Sequence, residues 1–233
     1  MQDKISVAMA TYNGEKYLRI QLESILNNLR SYDEVIISDD GSVDNTLSIL
    51  SEYAEKDGRI KIVSGPNLGV IKNFENAINH CSGRYVFLSD QDDIWHNNKV
   101  ENILSVFKNS KPDVILHNAN ILKNGEIIGT LKEKVGYRKS IFGNIIKNSF
   151  TGCCMAFDMV FSNNFLPFPD EEKITMHDWY IGLMALKKGK VEYIKHPLID
   201  YRIHENNAVG LKKTTLAFKF KKRINILKIL KKV

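Results

Sequence analysis

Cysteine is scarce in this chain of 233 residues: there are three, Cys81, Cys153 and Cys154. An odd number with one vicinal pair builds no disulfide framework, and no Cys-x-x-Cys spacing offers a zinc site. Long apolar runs are missing as well. No stretch approaches the roughly 20 apolar residues that a membrane-spanning helix needs. The opening Met1-Gln2-Asp3-Lys4 leads into Ile5-Ser6-Val7-Ala8-Met9-Ala10, too short and too interrupted for the apolar region of a signal peptide. The expected location is therefore cytoplasmic. Neither an internal repeat nor a low-complexity linker breaks the chain before its end.

Acidic residues are absent from the end of the chain. Leu211 to Val233 holds nine Lys or Arg and no Asp or Glu, so the net charge of +6 belongs to this tail and the preceding 210 residues carry −3. With 43% hydrophobic and 26% charged residues the chain can bury a sizeable core, as one large domain or as one domain with an appendage. Residues 1–210 form the expected domain and 211–233 a basic amphipathic tail. In the tail Leu216, Phe220, Ile224, Leu227 and Leu230 share one helical stripe, bordered by Lys219, Lys221, Lys222, Arg223, Lys228, Lys231 and Lys232. Such a helix suits an anionic membrane surface, which would place the protein peripherally at the inner face of the cell membrane. Packing on its own domain is the alternative, and the thin aromatic interleaving speaks against a nucleic-acid partner.

What the sequence does contain is an alternation of strand-like and helix-like segments. Lys4 to Ala10, Glu34 to Ser38, Arg59 to Val63, Tyr85 to Leu88 and Val114 to His117 read as strands. Between them, Glu15 to Leu29, a segment capped by Asp44 or Asn45, Val70 to His80 and Asn98 to Lys108 carry the helical period. That alternation implies βαβ units and a mostly parallel sheet. Asn124-Gly125 then marks a type I′ hairpin within Asn120 to Thr130. Further on, Gly152 to Phe157 reads as a buried strand, His177 to Lys187 as a helix, and Val191 to Ile194 with Leu198 to Tyr201 as two short strands.

Polar clusters fall where these strands end: Thr11-Tyr12-Asn13-Gly14, Asp39-Asp40-Gly41-Ser42 and Asp90-Gln91-Asp92-Asp93. In an open α/β sheet the ligand binds beyond those carboxyl ends. The third cluster puts three carboxylates into four residues, and burying them without a cation is costly. It therefore asks for a divalent metal, and hard oxygen ligands favour Mg²⁺ or Mn²⁺. Taken alone, Asp39-Asp40-Gly41-Ser42 also reads as a turn before a capped helix. Cys153 and Cys154 read as small core residues, and His80, His96, His117 and His196 as structural or exposed.

Together with Asn67-Leu68-Gly69-Val70, Thr151-Gly152-Cys153 and His177-Asp178-Trp179, these clusters resemble the motifs of family 2 glycosyltransferases, over nearly all of the chain up to about Asn207. The wording Ser89-Asp90-Gln91-Asp92-Asp93-Ile94-Trp95, with Lys99 following, is similar to bacterial rhamnosyltransferases. The resemblance implies a GT-A fold: a single Rossmann-like α/β domain with a mostly parallel central sheet and a small antiparallel extension, followed by the basic helix. Residues 1–117 would be the nucleotide-sugar-binding half and 118–210 the acceptor-binding half. It further implies that Thr11, Tyr12 and Asn13 line the nucleotide pocket, joined by Glu15, Asn67 and Gln91. Asp40 would accept a hydrogen bond from a pyrimidine N–H, with Asp39 supporting the turn, and Asp90 would lie near the ribose. Asp92 would bind the metal on the diphosphate, His204 resembles a late metal or diphosphate ligand, and Arg202 would pair with phosphate oxygens. Asp93 stays open between orienting the metal's water shell and capping a turn.

By the same resemblance Asp178 is the base that deprotonates an acceptor hydroxyl, and its setting at a helix start between His177 and Trp179 would raise its pKa by partial desolvation. The implied activity is inverting, metal-dependent transfer of a sugar from a nucleotide-diphosphate donor to a growing polysaccharide or lipid-linked glycan. The donor would be dTDP-rhamnose, or a UDP-hexose or UDP-N-acetylhexosamine. Two rivals remain at this stage: a phosphohydrolase or phosphoacceptor using Asp39-Asp40, and a non-catalytic nucleotide-sugar or membrane-binding module.

Overall fold

A computed structural model describes residues 3–170, 174–205 and 216–232. The domain boundary expected at residue 210, the tail residues 211–215 and Asn206-Asn207 lie outside the described residues, as do the side chains of Leu216, Lys219 and Lys232.

Strand β1 (Ile5–Thr11) sends Val7 and Met9 to one side and Ala8 to the other, and both sides are buried. That is why it reads as a continuous apolar run. Helix α1 (Leu18–Leu26) buries Leu18, Leu22 and Ile25 against the Val7 side. There follow β2 (Glu34–Asp39), α2 (Thr46–Lys56), β3 (Ile60–Ser64) and α3 (Val70–Asn79), whose Ile71, Phe74, Ala77 and Ile78 pack on the Ala8 side. Next come β4 (Tyr85–Ser89), β5 (Ile94–Trp95), α4 (Lys99–Ser110), β6 (Val114–Lys123) and β7 (Glu126–Thr130). The described chain ends with α5 (Leu131–Lys134), α6 (Ile141–Ile146), β8 (Met155–Asp158), α7 (His177–Lys188), β9 (Val191–Ile203) and α8 (Leu216–Lys232).

Among the described residues the strands form one nine-stranded sheet in the order β3-β2-β1-β4-β8-β6-β9-β5, with β7 on β6. Strands β1 to β4 run parallel, β6 and β9 parallel to each other, and β5, β7 and β8 antiparallel to their neighbours. Residue 117 lies inside β6, so one sheet passes through both halves of the chain. The expected mostly parallel α/β sheet with a small antiparallel part is thus present. The hairpin is too: Asn124 and Gly125 take φ of 51° and 86°, the left-handed pair a type I′ turn requires.

Three segments differ from expectation. The strand read over Gly152 to Phe157 starts only at Met155, because Gly152–Cys154 winds into a 3-10 turn. There the chain is pressed against the start of α7, where a Cβ on Gly152 would come within 2.9 Å of His177 Nε2. The two short strands near the end are one, β9, paired to β6 along its length; the interruption at Pro197, which has no N–H, is absorbed as a shift of register. Strand β5 had no sequence signal beyond Ile94-Trp95 itself and exists by pairing with Ile199 and Asp200.

The tail helix forms, but a different stripe is buried from the one read in the sequence. Lys222, Ile226 and Leu230, spaced by four, face the domain, and Ile226 and Leu230 join the core beside α7. Lys222 Nζ donates to Ile174 O at 2.8 Å. Phe220, Ile224 and Leu227 stay exposed. Packing on its own domain is therefore realised by one face of α8, and of the expected stripe's described side chains only Leu230 is buried.

Candidate active site

A cleft of about 600 Å³ opens at the carboxyl ends of β1, β2 and β4. Its floor is held by Asp39. That carboxylate accepts from Gly41 N (3.2 Å), Ser42 N (2.8 Å), Ser42 Oγ (2.6 Å) and Thr11 Oγ1 (2.8 Å), locking the loops after β1 and β2 together. Gly41 sits at φ 89°, and a Cβ there would collide with the Asn67 side chain that closes over it. Asp40 lines the cleft: Oδ2 accepts from Gly69 N at 2.8 Å, while Oδ1 is buried without a partner.

The sequence-derived residues divide. Thr11, Tyr12, Asp40, Asn67, Asp90, Gln91, Asp92 and Asp178 line the cleft. Asn13, Glu15, Arg202 and His204 do not. Asn13 Oδ1 accepts from Val43 N (2.9 Å) and Glu15 Oε2 from Asn45 N (2.9 Å) and Nδ2 (2.7 Å), so both knit one loop to the next. Gln91 is at the wall with both amide atoms engaged: Oε1 accepts from Tyr12 N (2.9 Å) and Nε2 donates to Tyr12 O (3.0 Å). Arg202 stands behind the acidic turn, its Nε donating to Asp92 O (2.8 Å), its backbone N to Asp93 Oδ1 (3.0 Å), and its guanidinium over the Tyr17 ring.

The acidic turn is electrostatically tense. Burial, and then the charges of Asp93, Asp92 and Asp178, hold Asp90 well above the usual carboxylate range. Burial, then Asp92, pushes Asp93 up to about 7, and its Oδ2 has no hydrogen-bond partner. Asp92 Oδ2 meets His204 Nε2 at 2.7 Å. Across the cleft, at the start of α7, Asp178 accepts from Gly152 N (3.2 Å) and Trp179 N (2.5 Å). Burial outweighs those two bonds and raises its pKa to about 6. A carboxylate so poised is a proton acceptor near neutral pH.

The family model for Glycosyl transferase family 2 matches residues 6–172. The chain belongs to that family. The dTDP-rhamnosyl transferase RfbG of Shigella flexneri is 32% identical over 94% of this chain and 79% of its own length. A UDP-Glc:alpha-D-GlcNAc-diphosphoundecaprenol beta-1,3-glucosyltransferase, WfgD of Escherichia coli, is 28% identical over 87% of this chain and 78% of its own. Among solved structures, S. aureus TarS in complex with UDP-GlcNAc superimposes with a TM-score of 0.77 at 21% identity, covering 97% of this chain, which spans 66% of that one. That likeness concerns the GT-A fold. This protein is thus a family 2 glycosyltransferase using a nucleotide-sugar donor, which removes the phosphoacceptor and non-catalytic readings.

The donor set fits a hard divalent cation. Asp92 and His204 present an oxygen and an imidazole nitrogen side by side, and Asp90 and Asp93 add carboxylates whose charge in this buried turn lacks a full counterweight. Asp90, Asp93 and Cys153 also bring one atom each within 4.8 Å of one another, but burial raises the Cys153 thiol pKa and a protonated thiol does not ligate such an ion.

Three residues of this glycosyltransferase were not singled out for the site by sequence. Lys99 is fully buried beneath the acidic turn, its Nζ donating to Cys153 O (3.0 Å) and lying 3.8 Å from the Trp95 ring centre; burial lowers its pKa to about 8. The signal was available, since Lys99 shares a stripe with Ile103 and Phe107. His177 lines the cleft stacked on Phe74, with both ring nitrogens unpartnered, and burial lowers its pKa to about 3, so its ring is neutral. Tyr201, from β9, also lines the cleft; the resemblance marks its neighbours Arg202 and His204 but gives Tyr201 itself no role.

Proposed function

We propose that the protein transfers a sugar with inversion from a nucleotide-diphosphate donor to a lipid-linked or growing surface glycan, with Asp178 as the base. The observation that carries this reading is the position of the Asp178 carboxyl: it lines the same cleft as Asp40, Asp90 and Asp92, and its pKa of about 6 suits proton abstraction from a hydroxyl. Asp40, which lines the cleft with one oxygen unpartnered, would take a base N–H. Asp90 and Tyr12 flank the sugar-diphosphate path. Asp92 and His204 would hold Mn²⁺ or Mg²⁺, which when bound supplies charge stabilisation to the leaving diphosphate. Asp93, whose Oδ1 takes the Arg202 N–H, holds the turn in place.

For the donor we favour dTDP-rhamnose, on the strength of RfbG; WfgD, at a similar identity, supports a UDP-hexose as the second reading. The acceptor named for WfgD, a diphosphoundecaprenol-linked sugar, supports a lipid-linked glycan here, presented at the cytoplasmic membrane face to which the basic tail would bind. A thermal-shift screen of dTDP-rhamnose, UDP-glucose and UDP-N-acetylglucosamine with and without Mn²⁺ tests the donor. Stabilisation by one nucleotide sugar that needs the metal is the expected result; equal shifts with and without it would remove Asp92 and His204 from the metal role.

A further inference from the structure

We infer that α6, to which nothing in the sequence gave a role, joins α8 in one face that docks on an anionic lipid bilayer and presents the acceptor to the cleft. This rests on the reading that the basic tail meets a membrane. Helix α6 exposes Phe142 (73%) and Ile146 (53%), and α8 exposes Phe220 (64%), Ile224 (38%) and Leu227 (44%). The two helices are fastened at that place: Arg223 Nε donates to Ile145 O at 3.0 Å and its terminal nitrogen to Ile146 O at 2.5 Å.

Charge specifies the partner. Both elements come from stretches of chain without a single acid, residues 134–157 and 206–233, which carry four and nine Lys or Arg. Lys139 and Lys147 near α6 and Lys221, Lys228 and Lys231 on α8 are exposed around the apolar side chains. Apolar tips within a ring of cations match an interface of acyl chains under anionic headgroups, and do not match another copy of so basic a surface.

The face is also connected to the chemistry. A groove of about 280 Å³ lined by Ile146, Thr175, Trp179 and Arg223 shares Met176 with the donor cleft. Trp179 Nε1 donates to Asn144 O of α6 at 2.9 Å, and Trp179 directly follows the base Asp178. A sugar carried on a diphosphate-linked lipid in the docked bilayer would pass Arg223 and Met176 to reach Asp178.

The test is co-sedimentation of the full chain with vesicles of phosphatidylcholine alone or with one third phosphatidylglycerol. The wild type should bind only the anionic vesicles, and both Phe142→Asp/Ile146→Asp and Phe220→Asp/Leu227→Asp should weaken that binding about tenfold or more. Melting temperature and its donor-induced rise report that each variant is folded. A wild type that ignores both vesicles sinks the underlying membrane reading. Binding lost in the α8 variant but unchanged in the α6 variant overturns the shared face and leaves the tail alone as anchor, and equal binding to neutral vesicles overturns the charge match.

Discussion

The loops after β1 and β2 and the facing wall of this cleft, with the acidic turn, are built on opposite principles. In the loops after β1 and β2 the polar side chains, Asp40 Oδ1 excepted, are answered by neighbours: Asp39 gathers four donors, Asn13 reaches Val43, Glu15 reaches Asn45 and the Tyr12 backbone is held by Gln91. On the facing wall and among the carboxylates of the acidic turn, groups are left short. His177 has no partner on either nitrogen, Asp93 Oδ2 has none, and Asp178 and Asp90 are held above their ordinary pKa by burial. A satisfied network fixes a shape, whereas under-satisfied buried groups store the affinity for a proton or a cation that chemistry needs. The difference teaches which residues should fail in stability and which in turnover.

The largest effect should come from Asp178. Asp178→Asn is expected to lower transfer by about 10³-fold with donor binding retained, within the range for loss of a general base. Its folded pKa of about 6 lies above the ordinary value of 3.8, so the carboxyl's contribution to stability is present in acid and is lost as pH rises through about 6. At pH 8 the Asn variant should therefore melt higher than wild type, by up to about 3 kcal/mol of stability. The same titration predicts that wild-type turnover falls as pH drops below about 6. Calorimetry at pH 5 and pH 8 with a pH–rate profile checks both signs; an Asn variant less stable at pH 8 would show that the two N–H bonds to the carboxylate outweigh its burial. Next in size, chelation or Asp92→Asn should cost about 10²-fold or more in turnover and abolish the metal-dependent part of donor stabilisation.

Breaking the loops after β1 and β2 should look different. Asp39→Ala removes the acceptor of four hydrogen bonds and should destabilise the fold by about 3 kcal/mol, read as a lower denaturant midpoint, with donor KM raised. The contrast with Asp178→Asn, a residue that braces the cleft from behind against one that lines it, with stability effects of opposite sign, is what a denaturation series on the two variants measures.

How far the sequence could see follows the same divide. Strand ends carrying Thr11, Asp40, Asp90 and Asp92 were legible because β1, β2 and β4 are parallel strands whose carboxyl ends must share an edge. Asp178, which the structure brings to the same cleft, enters from the sequence only through a family resemblance. Asn13 and Glu15, expected at the nucleotide, face other loops instead, because their partners Val43 and Asn45 lie 30 residues away and that meeting depends on how two loops settle against each other. The stripe on α8 was misjudged for a related reason. Lys222 is buried there through its contact with Ile174, which no periodicity of apolar residues could announce.

Gln91 gives the smallest effect and the sharpest discrimination. The resemblance puts it in contact with the nucleotide sugar, whereas both its amide atoms are spent on the Tyr12 backbone. If its work is to hold that loop, Gln91→Ala should cost about 1–2 kcal/mol of stability and raise donor KM a few-fold, with kcat nearly unchanged, because only the placement of Tyr12 is loosened. If it touches the reacting sugar, kcat should fall more than about tenfold while the melting temperature hardly moves. Steady-state kinetics beside a melting curve separates the two, since a residue tied at both ends to backbone cannot lose its side chain without the loop registering the loss.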